Sequence, residues 1–165
     1  DIKHFKTLDG SKGYVIAVKD CYTKEIVSHT VSRRHTAKEI EEVLYSALAN
    51  RNLKELPVEE LYVVSDNAKE IKSAMEELRK IGIKHVRITP YSPWENGEIE
   101  SFFSCLEREV FWRFEIGSFE EAEELIEEYV GFYNNDRIHG GIGYKTPKER
   151  YLEFVTRESL ANVSG

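Results

Sequence analysis

The sequence has little cysteine and no long apolar run. Its 2 cysteines, Cys21 and Cys105, form no CxxC pair and have no histidine at metal-ligand spacing, so neither a zinc site nor a disulfide framework is predicted. No stretch approaches the roughly 18 to 20 apolar residues that cross a bilayer. A phosphate-binding glycine loop and a Gly-x-Ser-x-Gly motif are also missing from the sequence, which predicts no nucleotide cofactor and no serine nucleophile. We expect a cytoplasmic protein with reduced thiols and no membrane partner.

The composition that is present is typical of one globular domain with a sizeable core. Of the 165 residues, 41% are hydrophobic and 32% are charged, and the formal net charge is −7. An acidic total disfavours a nucleic-acid partner at first sight. The charge is uneven, however, because residues 1–50 sum to +1 and residues 116–165 sum to −5. A bound metal ion would also neutralise carboxylates, so the net charge excludes neither DNA nor RNA.

Hydrophobic periodicity and turn signals predict the element order βββαβαβααα. The predicted strands cover residues 2–8, 14–21, 25–32, 61–64 and 85–88, and the predicted helices cover 36–50, 67–82, 99–114, 118–133 and the segment from 146 onward. The first three strands follow one another through short turns, which indicates an antiparallel meander. Residues 61–64 are continuously apolar, which is typical of a strand that is buried on both faces.

Three acidic residues occupy positions that suit chemistry, and each also has a purely structural explanation. Asp66 follows a predicted buried strand, at the strand end where α/β sheets hold ligands, yet an Asp before a helix often only caps it. Glu100 lies beside the apolar stripe of a helix, where most glutamates are simply solvated, with Glu95 and Glu98 nearby. Asp1 opens the first strand. Taken one by one, none of these residues identifies a site.

The acids occur in a specific combination of motifs. Asp-Ile-Lys opens the first strand at residues 1–3, Val-Val-Ser-Asp-Asn ends another at 63–67, and Glu-Asn-Gly-Glu-Ile-Glu-Ser-Phe-Phe begins a helix at 95–103. Tyr-Asn-Asn-Asp-Arg-Ile-His at 133–139 and Gly-Tyr-Lys-Thr-Pro at 143–147 follow. Over residues 1–154, this combination resembles the Asp-Asp-Glu integrase core that insertion-sequence transposases share with retroviral integrases.

The resemblance implies a ribonuclease H-like α/β fold, a five-stranded mixed sheet with three leading antiparallel strands, flanked by helices. It implies that Asp1 and Asp66 lie on adjacent central strands and that Glu100 approaches from a helix, as catalytic residues and as ligands of Mg²⁺ or Mn²⁺. Hard oxygen ligands suit these ions, and two ions are expected. The implied activity is metal-dependent cleavage and strand transfer of DNA, with transposon ends and target DNA as partners.

Candidate DNA contacts lie around the implied site. The segment from Pro90 to Gly97 predicts a mobile loop, whose Tyr91 and Trp94 either stack on a DNA end or form a local cluster. Arg137 and His139 of the closing motif either contact phosphate or form a polar network that fixes the last helices. The remaining candidates for contact with the DNA backbone are Lys84, Arg87 and Arg108.

Some residues depart from the family pattern. Glu107 occupies a position that is often Lys, so either Arg108 replaces that lysine or the helix holds DNA differently. Ala68 stands where Gly is usual, and Asp1, as the first residue given, would carry a free α-amino group beside a proposed ligand. Asp20 resembles a position that is often acidic in these transposases, and we interpret it as turn or strand-end structure outside the metal triad.

We expect a single integrase core domain over residues 1–165, with the core in 1–154 and a C-terminal tail in 155–165, excised from a longer protein. Recognition of transposon ends is expected from an upstream helix-turn-helix region. The fragment alone should therefore bind DNA weakly. The longer protein should act as a homo-oligomer at a bacterial or archaeal nucleoid.

Three other functions remain open at this point. A ribonuclease H-like nuclease would only hydrolyse its substrate, and the closing motifs disfavour it. A catalytically degenerate core would serve as a DNA-binding or assembly module, which the three acids disfavour and Glu107 favours. A doubly wound signalling domain fits poorly with three leading antiparallel strands.

Overall fold

The computed structural model describes residues 1–51, 61–66, 68–87 and 97–163, with side chains described up to residue 159. In chain order the elements are β1 (Ile2–Lys6), β2 (Lys12–Lys19), β3 (Ile26–Ser32), α1 (Ala37–Asn50), β4 (Tyr62–Ser65), α2 (Lys69–Lys80), β5 (Lys84–Arg87), α3 (Gly97–Leu106) with a π-helical turn (Glu107–Phe111), α4 (Phe119–Asn135), a 3₁₀ turn (Gly140–Ile142) and α5 (Pro147–Val163). The predicted order βββαβαβααα is confirmed. Element ends differ by a few residues, which is the usual uncertainty of boundaries.

The first three strands form an antiparallel sheet with β2 at its centre. Ile2 of β1 lies opposite Ile16 of β2, and Val31 of β3 lies opposite Val15. Since side chains alternate along a strand, Val15 and Ala17 face one side of the sheet while Ile16 faces the other. All three β2 side chains are buried, so both faces of this sheet are covered.

Strands β4 and β5 pair with each other in parallel through the α2 crossover, and they form a sheet of their own. The single five-stranded mixed sheet is therefore not seen among the described residues, where no ladder joins β4 to β1. Burial of β4 on both faces was a wrong expectation, because Tyr62 is 60% exposed and Val64 is 44% exposed. The apolar residue types of 61–64 did not by themselves distinguish a central strand from a four-residue strand that packs through Val63 and Ser65.

Two hydrophobic clusters lie on opposite faces of the antiparallel sheet. One joins the Val15 and Ala17 face to α3 and α4, where Phe102 and Leu106 are fully buried. The other joins the Ile16 face to the apolar stripes of α1 and α2. The sheet is thus the middle layer between two helix layers, as in many α/β domains.

Helix α3 does not remain α-helical to its end. From Glu107 the backbone forms a π-helical turn, in which Trp112 N–H donates to the Glu107 carbonyl oxygen at 2.9 Å, five residues back. The helix ends with this turn at Phe111, so Phe114 lies beyond it and is 51% exposed, whereas periodicity predicted a buried stripe up to residue 114. No helix of the described residues is long and apolar enough to cross a membrane.

Asn134, near the end of α4, links this helix to the start of β3 through two hydrogen bonds. Its side-chain oxygen accepts a hydrogen bond from Ile26 N–H at 2.9 Å, and its amide nitrogen donates to the Ile26 carbonyl oxygen at 2.9 Å. The side chain thereby satisfies both backbone groups of Ile26, as a neighbouring strand would do. The Asn of the closing motif has a structural role here.

We expect Asn134→Ala to lower the free energy of unfolding by about 1–3 kcal/mol, because two partly buried backbone groups lose their partner. The matched control is Asn135→Ala, which removes an exposed amide that donates only to the Gly131 carbonyl within its own helix. Its effect should stay within about 0.5 kcal/mol. Urea denaturation of both variants measures the difference, and equal stabilities would contradict this role of Asn134.

Candidate active site

Asp1 is fixed to the central strand of the antiparallel sheet. Its backbone nitrogen donates to the Ala17 carbonyl oxygen at 2.9 Å, and Ala17 N–H donates to the Asp1 carbonyl oxygen at 3.0 Å. Its carboxylate Oδ1 also accepts a hydrogen bond from Ile2 N–H at 2.7 Å. The position of Asp1 therefore follows from that of β2.

Asp66 lies immediately after β4, as the sequence predicts, and begins the turn into α2. Its Oδ1 accepts a hydrogen bond from Ala68 N–H at 2.9 Å, which is an Asx turn at the helix start. The capping explanation is thus correct for one oxygen. Within the described part of the chain, Oδ2 accepts no hydrogen bond and remains available to a ligand.

Asp1 and the end of β4 face one cavity. Its lining includes Asp1, Ser65, which precedes Asp66, and Glu98 and Ile99 of α3. The negative charge of Asp66 acts on the Asp1 backbone nitrogen. No ladder joins β1 to β4 among the described residues, so the expected adjacent strands are not seen there.

Glu100 lies in the first turn of α3, and its side chain is exposed. In the described ranges, no three His, Cys, Asp or Glu side chains are close enough together to hold a metal ion. The donor chemistry of the three acids suits a hard divalent cation, but Glu100 is not grouped with the other two carboxylates here. Their assignment as metal ligands and catalytic residues stays a prediction.

Ion pairing separates Glu100 from the other acids of its helix. Glu98 pairs with Lys19 and Lys24. Among the described residues, Glu100 alone of the four carboxylates from Gly97 to Phe111 makes no ion pair or hydrogen bond. The other two carboxylates are also paired, Glu107 with Lys3 at 3.0 Å and Glu109 with Arg137 at 3.0 Å. Glu100 is therefore the carboxylate of this helix that is left for another partner.

Glu107, at the position where the family often has Lys, carries a paired charge. Glu107 Oε2 accepts a hydrogen bond from the Lys3 ammonium of β1, and both side chains are partly exposed. The pair links the strand that follows Asp1 to the end of α3. Arg108 is exposed, and its guanidinium also contacts the Cys105 sulfur at 3.4 Å.

Arg137 belongs to an internal network, which supports the structural alternative for this residue. Its guanidinium donates to both carboxylate oxygens of Glu109, at 3.0 and 3.3 Å, and to the Cys105 sulfur at 3.4 Å. Tyr129 donates its hydroxyl proton to the same carboxylate at 3.0 Å. The network joins α4 and the segment after it to the π-helical turn.

The other predicted DNA contacts occupy varied positions. His139 packs edge-on against the Tyr133 ring, with centroids 4.7 Å apart. Lys84 lies over the Tyr62 ring at 5.2 Å. Arg87 ends β5 with an exposed side chain. Tyr91 and Trp94 lie outside the described residues, and the contacts of these candidates with DNA stay predictions.

Asp20 has the turn role that the sequence predicts. Its carboxylate accepts hydrogen bonds from Tyr22 N–H at 2.8 Å and from the Thr23 hydroxyl at 2.9 Å. Arg51, at the end of α1, donates to the same carboxylate at 2.9 Å. These three bonds hold the β2–β3 turn.

A cationic groove was missed by our sequence analysis. It has a volume of about 460 Å³ and is lined by Arg33, Arg34 and His35 after β3 and by Lys69 and Glu70 at the start of α2. Arg33 also pairs with Glu120. The signal in the sequence is the Arg-Arg-His run at 33–35, followed by Thr36 at the helix cap. The lining has more basic than acidic side chains, which favours phosphate groups even on an acidic chain.

Comparison with known proteins gives one family. Two models described as "Integrase core domain" match the chain, one over residues 1–93 and the other over residues 81–147. The transposase for insertion sequence element IS904 of Lactococcus lactis is 28% identical over 152 residues, which cover 90% of this chain and 58% of the relative. A putative transposase for IS150 of Escherichia coli K12 is 28% identical over 151 residues, covering 90% of this chain and 52% of the relative.

Solved structures share the fold. The catalytic core of bovine immunodeficiency virus (BIV) integrase has a TM-score of 0.64 and 19% identity, with 96% of this chain and 95% of that chain covered. The HTLV-2 integrase core in complex with magnesium, in a trimeric form, has a TM-score of 0.57 and 16% identity, with 90% of each chain covered. These comparisons confirm the resemblance drawn from the motifs and the α/β integrase-core fold. The chain spans about half the length of the curated transposases that it matches.

The Arg137–Glu109 pair predicts a pH-dependent loss of stability. Burial alone would raise the pKa of Glu109, but the hydrogen bonds from Arg137 and Tyr129 outweigh it, so the pKa lies below its ordinary value. A depressed carboxyl pKa stabilises the fold above the ordinary value, and this contribution is lost as the pH falls through the lowered pKa. Arg137→Met should therefore cost about 2 kcal/mol at pH 7 and clearly less near pH 3.

The matched control is Arg157→Met, which removes an exposed arginine of α5 that makes no hydrogen bond to Glu109 among the described residues. Chemical denaturation of both variants at the two pH values checks the prediction. A loss in Arg137→Met that is independent of pH would show that the network does not stabilise the fold through the charge of Glu109.

Proposed function

The chain belongs to the integrase core domain family, and from this we propose that it is the catalytic core of an insertion-sequence transposase that cuts DNA strands and transfers them. The observation that carries the proposal is the family match from residue 1 to residue 147, together with transposase relatives over about nine-tenths of the chain. The unpaired state of Glu100 among the described residues supports its place in the site.

We propose Asp1, Asp66 and Glu100 as the ligands of Mg²⁺ or Mn²⁺, with two ions in the working site. One solved relative of the fold, the HTLV-2 integrase core, is in complex with magnesium. A bound divalent ion would supply Lewis-acid polarisation of the scissile phosphate. The residues themselves supply anchored oxygens, since Asp1 is held by β2 and Asp66 by its own turn.

The proposed reaction is an in-line displacement at phosphorus. The oxygen of water, or later the freed 3′-hydroxyl of the transposon end, forms a new bond to phosphorus while the bond to the leaving 3′ oxygen breaks. The attacking oxygen loses its proton and the leaving oxygen gains one. No covalent enzyme intermediate is required, which agrees with the two thiols, because Cys105 is buried and burial raises the pKa of Cys21.

DNA is the proposed partner, as transposon ends and as target. The groove lined by Arg33, Arg34, His35 and Lys69 supports this proposal, because its cations would meet phosphates of a bound duplex. Lys69, one of these residues, follows Asp66 by three positions. The longer protein is proposed to work as a homo-oligomer at bacterial or archaeal chromosomal DNA. A simian T-cell lymphotropic virus intasome shares the fold with a TM-score of 0.70 and 18% identity, with 90% of this chain and 51% of that chain covered.

A second candidate function is a DNA-binding or assembly module that no longer cuts. One observation favours it, namely that the described residues contain no group of three metal-ligating side chains. This module would bind DNA through the cationic groove and would not need a metal. The two functions therefore differ in their response to Mn²⁺.

We expect the chain to bind Mn²⁺ and to nick supercoiled plasmid DNA in its presence. Asp66→Asn and Glu100→Gln should each weaken Mn²⁺ binding and slow nicking by about 100-fold or more, because a ligand is removed. The matched control is Glu124→Gln, which neutralises an exposed acid of α4 and should change neither property. Calorimetry and gel analysis of the plasmid measure the two effects.

Each outcome has a definite meaning. Equal Mn²⁺ binding and nicking by all variants would overturn the assignment of Asp66 and Glu100. DNA binding without Mn²⁺ binding or nicking in the unaltered chain would favour the non-cutting module.

A further inference from the structure

Lys19, the last residue of β2, is a buried lysine. Only 4% of its side chain is exposed, whereas lysines are almost never fully buried unless they are paired. Its ammonium donates to the Glu98 backbone carbonyl oxygen at 2.6 Å and lies 3.2 Å from the Glu98 carboxylate. Lys24, from the β2–β3 turn, pairs with the other oxygen of the same carboxylate. One acid thus receives two cations.

Burial of the Lys19 ammonium costs free energy, and its hydrogen bonds fix its orientation. Burial lowers the pKa of Lys19, and the Glu98 charge and hydrogen bond offset only part of this shift. A buried ammonium is tolerated only where its donors find acceptors with good geometry. A bond to a backbone carbonyl differs from an ordinary surface pair, because it fixes the main chain of the helix as well as a flexible side chain.

The contact of Lys19 with Glu98, called the brace below, connects the two halves of the proposed site. On the strand side, Ala17 exchanges backbone hydrogen bonds with Asp1 and lies two residues before Lys19. On the helix side, Glu98 precedes Glu100 by two residues in the first turn of α3. The connection between the main chain at Asp1 and the main chain at Glu100 is therefore short, and Lys19 is its central link.

We propose that Lys19 is a positioning residue, which through Glu98 sets the place of the Glu100 carboxylate relative to Asp1. This inference rests on the proposed function of the three acids. The helix itself does not depend on the brace, since Phe102 and Leu106 anchor α3 in the core. Loss of Lys19 should therefore loosen the first turn of α3 and leave the rest of the helix packed.

The test compares Lys19→Met, which keeps much of the side-chain length without the charge, with Lys19→Arg, which keeps the charge and the donors. Lys80→Met controls for charge, because it breaks an exposed pair with Glu77 on α2. Leu78→Ala controls for stability, because it opens the core on the other face of the sheet. Mn²⁺ affinity, plasmid nicking and thermal unfolding are measured for all four.

Lys19→Met should weaken Mn²⁺ binding by about 10–100-fold and slow nicking in step, as the loss of a group that orients a ligand does. Lys19→Arg should recover most of this loss, and Lys80→Met should resemble the unaltered chain. Leu78→Ala should lower thermal stability at least as much as Lys19→Met while keeping Mn²⁺ affinity. If Lys19→Met bound Mn²⁺ as tightly as Leu78→Ala, the proposal would be overturned.

A second readout does not depend on metal or activity. Amide hydrogen exchange without metal should be about 10-fold faster in Lys19→Met at residues 101–103, whose N–H groups donate to the carbonyls of the braced turn, and unchanged through α4, because only that turn opens locally. Unchanged exchange at 101–103 would overturn the brace by itself. If the unaltered chain neither binds Mn²⁺ nor nicks DNA while exchange responds as expected, the proposed function fails and the brace remains.

Discussion

The packing of helix α3 on the antiparallel sheet is the constraint on which the rest of the arrangement depends. Phe102 and Leu106 are fully buried between the sheet and α4, and they fix the rotation of the helix about its axis. At 3.6 residues per turn, burial of Ile99 and Phe102 leaves Glu100 on the exposed side. The direction of the candidate ligand therefore follows from core packing.

Much of the fold could be predicted because its signals are local. Alternating side chains and tight turns identify the meander, and capping residues such as Thr36 and Ser118 mark helix starts that the structure confirms. The environment of β4 could not be predicted, because a short run of apolar residues has the same composition whether another strand or solvent lies beside it. The π-helical turn after α3 was also not predicted, because it covers only the last five residues of the helix, too few for a change of periodicity to be recognised.

The sequence proposes residues for the candidate site but not the contacts around them. The acids stand in recognisable motifs, whereas the interactions that hold them join residues far apart in sequence, such as Lys3 with Glu107 and Lys19 with Glu98. The residues around a lysine in the sequence do not indicate whether its side chain is buried, so the sequence predicts Lys19 to be an ordinary surface cation. For Arg137 of the closing motif, the pairing with Glu109 supports the polar network, one of the two alternatives that the sequence left open.

Charge pairing determines how much negative charge helix α3 presents. Along α3 and the π-helical turn, Glu98, Glu107 and Glu109 are each paired with cations from other elements. Since an unpaired carboxylate repels phosphate, these pairs reduce the repulsion that the helix would exert on a polyanion, and among the described residues they leave Glu100 as its carboxylate without an ion pair. The net charge of −7 therefore does not by itself exclude DNA, because the charge of this helix depends on its pairs and not on the total.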